Sequence, residues 1–206
     1  MEAVENRSVV NHRGMPVKLF TVCFIAAPLL MGLASFDYGE YKSIGSIGGV
    51  LNTYGITIWI GSLLGMAWLL WQKAPRFASI MAGLGIIGCV GGSNFILVAM
   101  IRRKLLIDGV NHELLWLTKG NMASANMIAS AAMGMWFPIT LILFGIGFIR
   151  FKLIPSWLGA LICIMGIFFP LGRIPGNPII IHLTDILMFT VMSIFSWKFM
   201  QTVQQK

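Results

Sequence analysis

His182 and Asp185 stand three residues apart within an apolar stretch, a spacing that places both side chains on one face of a helix. An imidazole oriented by a carboxylate exchanges protons or holds a polar ligand. The same pair has a plainer reading. Both residues fall in the first turns after Pro178, where a helix N-terminus stabilises a carboxylate and Arg173 offers a cationic partner. Asn94 and Asn126 lie in two other apolar stretches. There an Asn either lines a polar pocket or supplies an interhelical hydrogen bond on the order of 1 kcal/mol.

Reaction chemistry finds less support. Gly91-Gly92-Ser93-Asn94 together with His182 resembles the Ser–His pair of six-helix intramembrane proteases, but Asn94 stands where that motif closes on glycine. Without an oxyanion hole a Ser–His pair does not carry acyl transfer. Haem held between helices needs facing His ligands, yet only His182 lies in an apolar run, with His112 in a loop and His12 in the N-terminal arm. A zinc site needs more than one His beside clustered carboxylates. Cys23, Cys89 and Cys163 sit alone in apolar runs, where a free thiol packs as a small hydrophobe. No cofactor, metal or catalytic residue is expected.

The elements that position these groups are helices that cross a bilayer. Hydrophobic residues make up 57% of the 206-residue chain and charged residues 11%, with a mean hydropathy of +0.84. Soluble domains carry about 25% charged residues, and a soluble fold of this length cannot hide so much apolar surface. About 20 apolar residues in a helix cover the hydrocarbon core. With Gly, Pro and charge as punctuation, the sequence predicts six such spans near 17–36, 50–71, 77–101, 121–149, 156–171 and 179–199. The whole chain, 1–206, is then one all-α, polytopic transmembrane bundle. The first span is read as an uncleaved helix: its apolar stretch is long for a signal peptide, and Glu2 and Glu5 give the preceding arm mixed charge.

With six spans both termini share a side. That side carries nine cations, Arg7, Arg13, Lys18, Lys73, Arg76, Arg150, Lys152, Lys198 and Lys206, against Lys42, Arg102, Arg103, Lys104, Lys119 and Arg173 on the other. Positive residues favour the cytoplasm, so both termini are expected there. The acids agree, since Asp37, Glu40, Asp108, Glu113 and Asp185 accompany the outer cations. So do aromatic anchors, Trp68, Trp71, Trp157 and Trp197 within, Tyr38, Tyr41 and Trp116 without. The net charge of +8 thus reflects topology and contact with membrane lipids, not nucleic acid.

The run Arg150-Phe151-Lys152-Leu153-Ile154-Pro155-Ser156-Trp157-Leu158-Gly159 sits between a long apolar helix and a short one. It resembles a segment, basic-x-x-Leu-x-Pro-x-Trp-Leu-Gly, of uncharacterised bacterial six-helix membrane proteins. The resemblance is strongest over residues 141–171. It implies a multi-pass protein of a bacterial plasma membrane and supplies no catalytic residue.

Counting ~1.5 Å per residue along each helix sets Asn94, Asn126, His182 and Asp185 at similar depth near the outer boundary, with Arg173 beside them. Their expected role is a polar outer-leaflet pocket that binds or transports a small or amphipathic ligand, a homo-oligomer or membrane partner being needed if it conducts. The alternative is a non-catalytic membrane subunit or regulator in which they only hold helices together.

Overall fold

A computed structural model describes residues 14–37, 44–109 and 122–204. These form seven helices: α1 Gly14–Ser35, α2 Ser46–Trp71, α3 Pro75–Ile107, α4 Met122–Gly134, α5 Trp136–Arg150, α6 Ser156–Arg173 and α7 Pro178–Gln204. Six segments are long and apolar enough to cross a membrane, the fourth combining the end of α4 with α5. The expected aromatic anchors Tyr38, Tyr41 and Trp116 lie outside the described residues, as do the side chains of Asn126 and Arg102.

The fourth span was expected as one helix over 121–149, and it is broken at Met135. The cause is Pro138, which has no N–H to offer the carbonyl of Gly134 and whose ring crowds that carbonyl. Met135 N–H still reaches Ala131 O at 3.1 Å and Ile139 N–H reaches Met135 O at 3.4 Å, so hydrogen bonding resumes on both sides. The third span runs further than expected, to Ile107, which carries Arg103 and Lys104 on its last turns.

Each span packs against its neighbours in the chain, and the ring closes where α1 meets α7. Glycines set the closest approaches. A Cβ on Gly88 of α3 would lie 2.2 Å from the backbone nitrogen of Phe137, and one on Gly91 would lie 2.6 Å from that of Gly134. The backbone of α3 therefore rests directly on the break between α4 and α5, the small-residue packing of membrane helices. Gly145 and Gly159 do the same for α5 and α6, where a Cβ on Gly145 would meet Gly159 O at 2.5 Å.

The middle of the ring is filled. Phe24, Phe144, Phe148, Phe195 and Phe199 are fully buried, and the ring of Phe24 meets those of Phe195 and Phe199 at 5.0 and 5.2 Å. These edge-to-face contacts tie α1 to α7, and Phe148 brings in α5 at 5.3 Å from Phe195. Closer to the end away from the termini, hereafter the distal end, Trp59 meets Phe137 at 5.2 Å and Phe137 meets Phe169 at 5.0 Å. Large side chains such as Leu19, Val22, Ile80, Val90, Ile164 and Ile186 point outward, as lipid-facing residues do.

At the distal end, the turn from α6 to α7 is built from local rules. Gly176 takes φ +65, and Asn177 N–H returns to Gly172 O at 3.0 Å, a Schellman closure of α6. Asn177 then caps α7, its Oδ1 accepting from Ile179 N–H at 3.1 Å and Ile180 N–H at 3.3 Å, with Pro178 at the first helical position. Asn177→Ala is expected to lower stability by about 1 kcal/mol, read as a lower unfolding midpoint in detergent, while Asn177→Ser keeps most of it.

Candidate functional site

The Gly176–Asn177 turn fixes the end of α6 against the start of α7, and this brings Arg173 to Asp185. A Cβ on Gly172 would lie 3.0 Å from Ile181 N, so the two helices touch by backbone at this point. Arg173 Nη2 donates to Asp185 Oδ1 at 2.7 Å, with side-chain exposures of 13% and 4%. The guanidinium also lies over Phe169, one turn back on α6, at 4.3 Å from the ring centroid. Thr184 donates to Ile180 O at 2.7 Å and approaches Phe168 O, a further polar tie between α6 and α7.

The third wall is α1. His182 Nδ1 lies 3.0 Å from Ser35 Oγ, and Ser35 donates its hydroxyl proton to Gly32 O at 2.7 Å. A hydroxyl has one proton. With that proton on Gly32 O, Ser35 Oγ accepts from His182 when Nδ1 carries the ring hydrogen. The imidazole leans on Phe36 at 5.2 Å. Gly32 approaches Asp185, a Cβ there lying 3.8 Å from Asp185 Cβ.

Of the two readings of His182 and Asp185, the structure carries the plainer one, a carboxylate partnered by Arg173. The hydrogen bond of the imidazole runs to Ser35, and that of Asp185 runs to Arg173. Ser35, not Ser93, is the serine at His182, and its hydroxyl also reaches the backbone carbonyl of Gly32. Arg173, Asp185 and His182 thus share one corner where α1, α6 and α7 meet. Asn94 is engaged differently: its Nδ2 donates to Ser130 Oγ across the seam of α3 and α4. Asn126 belongs to α4, and its side chain lies outside the described residues. Asn94→Ala is expected to cost about 1 kcal/mol, and Ser130→Ala alongside it should add little more, as a double-mutant cycle of unfolding midpoints reads out.

Two features escaped the sequence reading. Ser35 gave no signal, being a small residue in the last turn of an apolar helix. Phe169 was not singled out, although its place one turn before Arg173 is the spacing at which a cation covers a ring.

No family model, curated protein or solved structure matches this chain. The resemblance over residues 150–159 accordingly has no matched family behind it, and the site is read from its geometry. Among the described residues no three His, Cys, Asp or Glu side chains cluster as metal ligands.

The geometry leaves the ion pair half used. Among the described residues, buried side-chain atoms without a hydrogen-bond partner include Arg173 Nε, Arg173 Nη1 and Asp185 Oδ2, beside Asn52 Oδ1, Ser62 Oγ and Thr140 Oγ1. Three of these six sit on one ion pair. A second polar place at the distal end is a cleft of about 260 Å³ bordered by Asp37, Ser46, Met100, Arg103 and Lys104. There Asp37 Oδ2 accepts from Gly48 N–H at 2.8 Å, capping α2, and Arg103 Nη1 donates to Asp37 O at 3.3 Å. Lys104 is paired with Asp108 four residues on.

Proposed function

We propose that this protein is a multi-pass protein of a bacterial plasma membrane that binds a small polar ligand at the outer end of its helix ring, through Arg173 and Asp185 with His182 beside them. The single observation that carries this reading is the set of unpartnered atoms on a buried ion pair. A polar atom without a partner away from water costs about 1–3 kcal/mol, and more when it is charged. Intramembrane ionisable residues are the default location of function for the same reason. A bound molecule that accepts from Arg173 and donates to Asp185 removes that cost.

The filled centre favours binding over conduction. Buried Phe24, Phe144, Phe148, Phe195 and Phe199 occupy the space that a permeation path would need. The second reading, a non-catalytic subunit or regulator of a membrane partner, draws its support from Asn94 and Ser130, whose polar groups are spent on joining two helices.

The test is to extract small molecules from the protein purified in mild detergent and compare Asp185→Asn with the unaltered chain by mass spectrometry. A compound that is stoichiometric with the wild-type protein and depleted from the variant supports binding. Identical extracts from both contradict it. The proposed orientation is checked separately: reporters active only in the cytoplasm or only outside it, fused after Lys206, are expected to report the cytoplasm, which nine cations against six favour.

A further inference from the structure

We infer that the ligand of this corner is a small zwitterion, whose anionic group is held by Arg173 and whose cationic group is held by Asp185. The inference rests on the binding reading above and adds the chemical class. Its basis is charge balance. Arg173 is the sole charged residue of α6, Asp185 is joined on α7 only by Lys198 at the far end, and α1 contributes Lys18 at its opposite end. From α1, Gly32 approaches Asp185, while Ser35 and Phe36 meet His182, and none of the three is charged. Among the described residues, the side chains of fixed charge at the corner are thus one guanidinium and one carboxylate, which balance each other.

A net-charged ion entering such a place leaves its own charge unbalanced in a poorly solvated environment, which is strongly unfavourable. An apolar molecule leaves the free atoms of Arg173 and Asp185 as they were. A molecule with both signs answers both. Arg173 still has Nε and Nη1 to donate, and Asp185 still has Oδ2 to accept. Nη2 and Oδ1 are already joined at 2.7 Å, which holds the guanidinium and the carboxylate in direct contact. The complementary molecule thus has its two charges only a few bonds apart. A free amino acid has this form, and so does the headgroup of a zwitterionic lipid.

The unaltered full chain tests this without any variant. Its unfolding midpoint in detergent micelles is measured with glycine, β-alanine and glycerophosphoethanolamine, and with acetate and methylammonium as the separate halves. Lipid nanodiscs of phosphatidylethanolamine are compared with discs of phosphatidylglycerol. A zwitterion at 100-fold its dissociation constant is expected to raise the midpoint by about 5 °C or more, while neither half alone nor their mixture does. A shift with the soluble zwitterions identifies a free solute. A shift seen only in phosphatidylethanolamine discs identifies a headgroup. An equal shift with acetate or methylammonium alone overturns the zwitterion and leaves a binding site of another class. No shift with any probe overturns the inference, and if no compound is extracted with the protein either, the binding reading falls with it.

Discussion

Gly88→Ala is expected to disrupt the ring more than any other single methyl group added to α3. The new Cβ would sit 2.2 Å from Phe137 N and 2.7 Å from its Cα, and these are backbone atoms that no rotamer change can move aside. Relief requires α3 to withdraw from the break at Met135, which opens the seam that Asn94, Ser130, Gly91 and Gly134 also share. Overpacking of this kind costs about 1–3 kcal/mol, and backbone contact places Gly88 at the upper end or beyond it. Gly83→Ala is the control on the same helix, because nothing lies within 4 Å of a Cβ there. Unfolding in detergent is expected to show a large loss for the first and almost none for the second. Equal behaviour of the two would mean that α3 does not lie against the fourth span by backbone.

The second large effect concerns the ion pair. Asp185→Ala leaves the guanidinium of Arg173 buried over Phe169 with no counter-charge, and Arg173→Ala leaves a carboxylate that is 4% exposed. Breaking a buried pair from one side costs about 3–5 kcal/mol. Replacing both, Arg173→Met with Asp185→Leu, removes the desolvation cost along with the attraction and is expected to recover most of the stability. The double variant then separates the two roles of the pair. It should fold and yet retain no small molecule. A double variant as unstable as either single one would show that the pair holds α6 to α7 by itself and that its free atoms have no further use.

Much of the architecture was legible because a bilayer imposes a length and a composition that can be read directly. The runs ending at Ser35, Trp71 and Arg173 appear as helices within a few residues of the expected bounds, and Pro75 and Pro178 open α3 and α7 as first-turn prolines do. The break at Met135 was also encoded, in Pro138, but an apolar run uninterrupted by charge conceals it. Partner choice was partly legible. Arg173 and Asp185 lie on either side of one tight turn, so a local argument suffices to pair them. Ser35 and His182 are separated by 147 positions, and their meeting depends on α1 closing the ring against α7. Asn94 and Ser130 depend likewise on the seating of α3 upon the fourth span. Spacing along one helix left Asp185 open to His182 or to Arg173, and packing between helices gave it Arg173 and gave His182 Ser35.

The measurement that tests the central claim most directly is an experimental density map of the purified protein, at a resolution that separates water from larger molecules, inspected at the corner of α1, α6 and α7. The account predicts a bound molecule, larger than water, that contacts Arg173 Nε or Nη1 at one end and Asp185 Oδ2 at the other. A corner in which those atoms bond to a single water or to a protein group, with no other molecule present, would contradict it.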